Sequence, residues 1–344
     1  MRCRSSRCCL LISLFFLQTF FLLYFMIIRN STAHFSSELK RKDCLCQLKD
    51  DVNNPEARSH TTPLSHKSEH AYLLVTILSS PNAKERRDSI RSTWMQGYDT
   101  LHPKVLVKFV IGGLGVAAGA LSSVREEDKQ YGDILLLEDL YESYHNLTLK
   151  ILWTFVYVSH SFNVSYLMKC DDDTFVLLER VLEELVKRDS DHRTSFYWGF
   201  FNGRARVKRK GKWQESGWFL SNNYLPYALG GGYILSGDLV DKVAINADSL
   251  QLYQSEDVSV GVWLSSFKAE RKHDVRFNTE YVSRGCLNVY IVSHKQSIAD
   301  MKLKYQNIRL IGKQCNKEYQ TRLSYIYNWT VPPLECCQRL TGIP

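Results

Sequence analysis

Tyr166-Leu-Met-Lys-Cys-Asp-Asp-Asp-Thr-Phe-Val176 is the stretch on which the fold turns. Its apolar start, Tyr166 to Met168, predicts a buried strand. Three consecutive carboxylates follow, Asp171, Asp172 and Asp173, and then an apolar, Glu-rich segment of helical pattern from Val176. Adjacent carboxylates repel one another, so a folded chain needs a compensating partner here. At the carboxyl end of a strand in an α/β sheet, the usual partner is a hard divalent cation carrying a phosphorylated ligand. The plainer alternative is a solvated acidic turn at a helix N-terminus, where the macrodipole favours negative charge.

Upstream, Tyr72 to Leu78, Val105 to Ile111 and Ile134 to Leu137 are further continuous apolar runs. Helical patterns lie between them, over Glu85 to Trp94, Val116 to Tyr131 and roughly 145–161. In the last, Leu149, Leu152, Trp153 and Val156 recur at i, i+3, i+4 and i+7. Ser79-Ser80-Pro81 offers the first helix a cap and a first-turn proline. Strands buried on both faces and alternating with amphipathic helices predict an α/β, Rossmann-like, mostly parallel sheet flanked by helices. The second half is less regular. It holds Tyr197-Trp-Gly-Phe-Phe201, a basic hairpin-like loop, a Gly-rich turn at Leu229-Gly-Gly-Gly-Tyr233 and aromatic segments. No linker separates the halves, so one domain is expected over 71–344.

The chain has 344 residues and a net charge of +8, yet its cations are spread out except for a cluster at 204–212, so no nucleic-acid partner is expected. Arg2, Arg4 and Arg7 precede an uncharged run from Leu10 to Ile28 that is long enough to cross a bilayer as a helix. No A-x-A-like cleavage site follows it. Asn30, Asn146, Asn163 and Asn328 each open a glycosylation sequon, which places the body in a lumen. The expected plan is a cytoplasmic tail at 1–9, a signal-anchor at 10–28, a polar stem at 29–70 and the domain at 71–344, in a single-pass type II membrane protein. Cys8 and Cys9 are acylation candidates, and Cys44 and Cys46 lie in the stem, free to pair with a second chain. Cys286, Cys315, Cys336 and Cys337 are enough for two disulfides, and Cys170 suits a free core thiol.

An aspartate of the triplet that binds Mg²⁺ or Mn²⁺ would hold it against a diphosphate, while a neighbour accepts hydrogen bonds from a ribose. Arg87 and Arg91, one turn apart, suit phosphate or uracil recognition, or else are solvated surface arginines. In Ser255-Glu256-Asp257-Val258 a carboxylate would serve as general base toward a sugar hydroxyl; the alternative is a capped helix N-terminus with acids in its first turn. His294 offers a nitrogen ligand to the metal, or is a structural histidine.

Five motifs occur in order: Arg87-x-Ser-x-Arg91-x-Thr-Trp94, Tyr144-x-Asn-Leu-Thr-x-Lys150, Lys169-x-Asp-Asp-Asp173, Tyr224-x-Pro-Tyr-x-x-Gly-Gly-Gly-Tyr233 and Glu256-Asp-Val258. Together they resemble the β-1,3-galactosyltransferase family of inverting Golgi enzymes with the GT-A fold, over about 71–344. Tyr197-Trp-Gly-Phe-Phe201, Ser283-Arg-Gly-Cys286, His294-Lys-Gln-Ser297 and the tail Cys336-Cys-Gln-Arg…Gly342-Ile-Pro344 are most similar to its branch that builds the proteoglycan linkage region.

The resemblance implies Mn²⁺ as cofactor and UDP-galactose as donor. The implied acceptor is the 3-hydroxyl of galactose in Gal-β1,4-Xyl on a core protein. It also implies a Golgi membrane location, and a homodimer or a complex with other linkage-region transferases as partner. Residue by residue, it makes Asp173 a metal ligand with His294, and Asp171 and Asp172 ribose or outer-sphere contacts. Asp257 becomes the base, with Glu256 as the alternative. Arg87, Arg91 and Lys150 fall on the nucleotide side, and Trp198 and Tyr233 are candidate sugar-site walls or core residues. The cluster Arg204, Arg206, Lys208, Arg209, Lys210 and Lys212 is either a solvated hairpin tip or a dock for an acidic acceptor.

Overall fold

The structure, a computed structural model, describes residues 69–191, 195–218 and 220–344. The expected tail and anchor, nearly all of the stem, Asn30 and the cysteines at 3, 8, 9, 44 and 46 lie outside them. Among the described residues no helix is long and apolar enough to cross a membrane.

In chain order the elements are β1 (Glu69–Leu78), α1 (Lys84–Arg91), β2 (Val105–Leu114), α2 (Ala118–Tyr131), β3 (Ile134–Tyr141), α3 (Leu147–Ser161), β4 (Phe162–Asp171), β5 (Phe175–Val176) and α4 (Leu178–Asp191). Then come β6 (Phe196–Asn202), β7 (Tyr227–Ser236), α5 (Gly237–Ile245), α6 (Glu256–Trp263), β8 (Glu270–His273), β9 (Phe277–Asn278), β10 (Gly285–Cys286), β11 (Val292–Ser293), α7 (Ile298–Ile311) and β12 (Tyr319–Gln320).

The main sheet has seven strands in the order β3-β2-β1-β4-β7-β6-β8. β1 pairs in parallel with both β2 and β4, and Leu78 sits opposite Val110 on one side and Asp171 on the other. The carboxyl ends of the central strands are therefore level, and they form one rim. β7 runs against β4 and β6, and β8 is parallel to β6, so β7 alone is reversed and the sheet is mostly parallel as expected. Leu73, Leu74, Val75, Ile77, Leu167 and Met168 are fully buried, as strands covered on both faces require.

Two local readings are corrected. Leu229 to Tyr233 is the middle of β7, not a turn. Its glycines serve close packing: a Cβ on Gly232 would meet Val292 Cγ1 at 2.9 Å, and a Cβ on Gly230 would meet Glu256 Oε1 at 2.7 Å. Ser79 and Ser80 do not cap α1, whose N-cap is Ala83 without a side-chain bond. Ser79 is instead buried at the end of β1.

The arginines and one lysine expected on the nucleotide side are structural. Arg87 is fully buried, and its Nη2 lies 2.7 Å from Glu127 Oε2. Arg91 pairs with Glu127 at 2.7 Å and Asp133 at 2.8 Å. They tie α1 to α2 and to the residue before β3, because a charge taken out of water must be matched. Lys150 is likewise buried, donating to Ser79 O at 2.6 Å and Glu142 Oε2 at 2.8 Å. Burial pushes its ammonium down, against Glu142. Trp198 and Tyr233 are fully buried core residues, so neither walls a sugar site. Trp198 Nε1 donates to Asp274 at 3.0 Å, and its ring meets Phe277 edge-on at 5.0 Å. Disulfides join Cys286 to Cys315 and Cys336 to Cys337, and Cys170 is a buried free thiol.

Arg87→Met would leave Glu127 with Arg91 as its only ion-pair partner among the described residues and would take a donor from Pro81 O and from Ser80 O, which keeps Ala83 N–H. We expect urea unfolding to show a loss of about 3 kcal/mol, typical of breaking a buried pair from one side. A change below about 0.5 kcal/mol, the size of an ordinary surface substitution, would refute the structural role.

Candidate functional site

The site grows from the rim at the end of β4. Asp171 closes that strand, and Asp172 and Asp173 form the turn beyond it. A three-stranded sheet of order β5-β11-β9 folds over this turn, and β11 delivers His294 to it. His294 N–H donates to Asn278 O at 2.9 Å, and Gln296 N–H donates to Asp173 O at 2.9 Å. Between them Lys295 takes φ 60°, a left-handed conformation costing roughly 1–2 kcal/mol in a non-glycine residue. Its ammonium reaches Asp173 Oδ2 at 3.2 Å.

One ligand atom each from Asp171, Asp173 and His294 lies within 4.8 Å of the others. His294 Nε2 is 2.9 Å from Asp173 Oδ1 and 3.3 Å from Asp171 Oδ2. Neither contact has hydrogen-bonding geometry: Asp173 Oδ1 and both ring nitrogens are buried polar atoms without a hydrogen-bond partner. Asp173 Oδ1 and His294 Nε2, both orphaned and 2.9 Å apart, are what a shared cation would satisfy. Two carboxylate oxygens and an imidazole can hold a divalent cation. The electrostatics agree. Burial alone would push the His294 imidazole down, yet the two carboxylates outweigh it and draw it up to about 9. Burial likewise opposes the charge on Asp173, but His294 holds its carboxyl below the usual range. Gly231 makes the room, since a Cβ there would lie 2.4 Å from His294 Nδ1.

Asp171 is shared. Its Oδ1 accepts from Lys169 Nζ at 2.9 Å, and Lys169 also donates to Gly230 O at 2.6 Å and to Glu256 Oε1. Lys169 is fully buried, so its three protons are met by three acceptors and nothing else. No separate role was expected of Lys169. The signal was present, since positions two apart on a strand share a face and Lys169 therefore accompanies Asp171.

Beyond Lys169 lie the two acids that open α6. Glu256 is buried and accepts from Tyr233 Oη at 3.2 Å; burial carries its carboxyl up to about 7 despite Lys169. Asp257 accepts from Gly230 N–H at 2.9 Å and from Val258 N–H at 2.9 Å. Burial pushes it up too, held in check by Lys169 and those amides. Asp172 turns the other way and accepts from Ser79 Oγ at 2.9 Å; burial raises its carboxyl.

Asp171, His294, Glu256 and Asp257 share one cleft of about 620 Å³. Its aromatic lining is Tyr144, Trp213, Tyr224, Tyr227, Tyr281 and Tyr325 rather than the expected Trp198 and Tyr233. Arg204, Arg206, Lys208 and Lys212 line it, while Arg209 and Lys210 are exposed away from it. Asn163 and Asn328 are exposed. Asn146 is half-buried and its amide donates to Tyr141 O at 2.9 Å, while Thr148 of the same sequon is buried, donating to Tyr253 O at 2.7 Å.

The family profile described as Galactosyltransferase matches residues 85–275. The chain is 44% identical over 275 residues to Beta-1,3-galactosyltransferase 6 of Mus musculus, covering 80% of this chain and 85% of that protein. It is 32% identical to UDP-GalNAc:beta-1,3-N-acetylgalactosaminyltransferase 2 of Danio rerio, over 57% of this chain and 38% of that protein. A mannosyltransferase of Pyrobaculum calidifontis, solved with GDP-Man and Mn²⁺, is similar over 71% of this chain and 64% of that one. Its TM-score of 0.35 and identity of 12% are too low to bear on chemistry here.

Gly231→Ala should displace the His294 ring while leaving the sheet intact. Calorimetric titration with Mn²⁺ is expected to show affinity down by about 10- to 100-fold with an unchanged far-ultraviolet spectrum. Wild-type affinity in this variant would remove His294 from the metal group.

Proposed function

The chain belongs to the galactosyltransferase family, and we propose that it transfers galactose from UDP-galactose, with inversion, to the 3-hydroxyl of galactose in Gal-β1,4-Xyl on a proteoglycan core protein. One observation carries the reading: Asp171 and His294, two members of the group they form with Asp173, open with the Asp257 carboxylate into a single cleft, linked through Lys169 and the Gly230 peptide. The mouse relative's name supports the β-1,3 linkage. The choice of acceptor rests on the stretches around Tyr197, Ser283 and His294 and on the Cys336-Cys337 tail.

In this reading Asp171, Asp173 and His294 hold Mn²⁺, in a fold of GT-A type. When bound, the metal neutralises the diphosphate of the departing UDP. Asp172, turned toward Ser79, accepts from the ribose. Asp257 takes the proton of the acceptor hydroxyl, and its burial-raised basicity suits that work. Glu256 fits the base role less well, because it is ion-paired with the buried Lys169 ammonium, whereas the hydrogen bonds to Asp257 come from backbone amides. A β-linkage made from an α-linked donor needs one displacement, so no covalent enzyme intermediate arises. A type II anchor at 10–28 in the Golgi membrane, with the body lumenal, completes the proposal. A homodimer or a complex with other linkage-region transferases is its expected setting. The second reading is a β-1,3-N-acetylhexosaminyltransferase, favoured by the similarity to the Danio rerio protein.

The test is a transfer assay with Mn²⁺, a galactosyl-xyloside and either UDP-galactose or UDP-N-acetylgalactosamine. UDP-galactose should be used, and EDTA should abolish transfer; preference for the other donor would select the second reading. Asp257→Asn should keep UDP binding and lose about 10²-fold or more in kcat, the range of a general base. Near-normal turnover would place the base elsewhere.

The basic cluster has a role here too. Arg204, Arg206 and Lys208 line the cleft with no carboxylate partner among the described residues, which fits an acidic acceptor. Neutralising all three should raise acceptor KM at low salt and leave donor KM unchanged. The effect should fade as ionic strength shortens the screening length to about 3 Å near 1 M salt. A salt-independent effect would assign the loop a structural role.

A further inference from the structure

Two large aromatic side chains stand in the open at the mouth of the cleft, and neither is loose. Trp213 is 41% exposed and Tyr144 is 39% exposed, yet Trp213 Nε1 donates to Tyr144 Oη at 2.6 Å. The Lys212 ammonium sits 3.9 Å from the centre of the Tyr144 ring. Apolar rings left facing water forgo the stabilisation of burial, about 25 cal/mol for each Å² not covered. Here they are also held rigid, which removes the freedom that would otherwise favour leaving them there.

The anchoring runs to the strip of chain just before Asp257. Glu215, two residues past Trp213, is buried, and its carboxylate accepts from Gln254 N–H at 2.7 Å and Gly217 N–H at 2.8 Å. Glu215 N–H donates to Lys208 O at 2.7 Å and closes the hairpin behind it. On the other side, His145 Nδ1 lies 3.1 Å from Gln254 Nε2, and Thr148 donates to Tyr253 O. Both halves of the aromatic pair are thus tied to Tyr253 and Gln254. Their spacing from Asp257 is fixed by covalent neighbours and hydrogen bonds rather than by loop position.

We propose that Trp213 and Tyr144 form a saccharide-stacking subsite that receives the apolar face of a pyranose ring of the acceptor. Rigid aromatic surface gives contact area at little entropic cost. Gln254 and Lys212 beside it offer hydrogen bonds to ring hydroxyls, as a polyhydroxylated ligand requires and an aliphatic one does not. The nucleotide is assigned to the other side of the rim, where Asp172 meets Ser79, so the ring that stacks here belongs to the acceptor. The proposal rests on the transferase reading above.

The experiment compares wild type, Trp213→Ala and Trp213→Phe. Removing the indole should raise acceptor KM by about tenfold or more, as loss of an aromatic anchor does, while the phenyl ring restores most of it. Donor KM and thermal midpoint should stay at wild-type values, which a merely structural residue would not permit. An acceptor KM for Trp213→Ala within about twofold of wild type, or a rise in donor KM instead, overturns the proposal. Saturation-transfer NMR with methyl β-D-galactopyranoside adds a readout independent of turnover, with signal expected in wild type and lost in Trp213→Ala. If the wild type transfers no hexose to any acceptor, the transferase reading falls. The same NMR measurement on a saccharide panel then decides the subsite, and signals indifferent to Trp213 overturn it.

Discussion

The ammonium of Lys169 is the contact on which the site depends. It is shut away from water and shared among Asp171, the Gly230 carbonyl and Glu256. A lone charge in that position would cost several kcal/mol, and so would the buried Glu256 carboxylate left without it. Together they hold the rim of β4, the middle of β7 and the start of α6 in one arrangement. The Gly230 peptide extends the chain, giving its oxygen to Lys169 and its N–H to Asp257. Asp171 at the end of β4 and the two acids that open α6 are thereby spaced through a single buried cation.

Around that cation the backbone has been thinned. Gly230, Gly231 and Gly232 lie where Glu256, His294 and Val292 press against β7, and any Cβ would push them off. A strand interior ordinarily loses stability from glycine. Here the loss is traded for the approach of an imidazole and two acids to one line of backbone. The left-handed Lys295 is the same exchange on the opposite wall, since its turn lets His294 and Gln296 both address the acidic triplet.

Much of this was legible beforehand, and the remainder was hidden for identifiable reasons. Continuous apolar runs gave β1, β2, β3 and β4 because burial on both faces leaves no room for polar alternation. The acidic triplet and His294 were legible as candidate metal ligands, though a solvated turn and a structural histidine fitted the same residues; the structure brings Asp171, expected only as a ribose or outer-sphere contact, into one group with Asp173 and His294. Leu229 to Tyr233 was misread because glycine marks turns and crowded strands alike, and only the neighbours tell them apart. Arg87, Arg91 and Lys150 looked like ligand-binding cations because a sequence does not show that Glu127, Asp133 and Glu142 are already beside them. Trp198 and Tyr233 were candidates for a sugar wall on residue type, whereas Trp213 was passed over inside a run of cations. Lys169 was in plain view, and its strand periodicity with Asp171 was the clue.

The reversed direction of β7 has a wider meaning. In a sheet of wholly parallel strands, every loop beyond the rim would follow a strand that also carries donor-side residues. Because β7 returns toward the core, the 203–226 connection reaches the rim before its strand begins and leaves the ends of β1 and β4 untouched. One wall of the cleft therefore hangs on a connection that can change in length and charge while the strands presenting Asp171 keep their register. What the cleft admits can be retuned without disturbing the sheet beneath it.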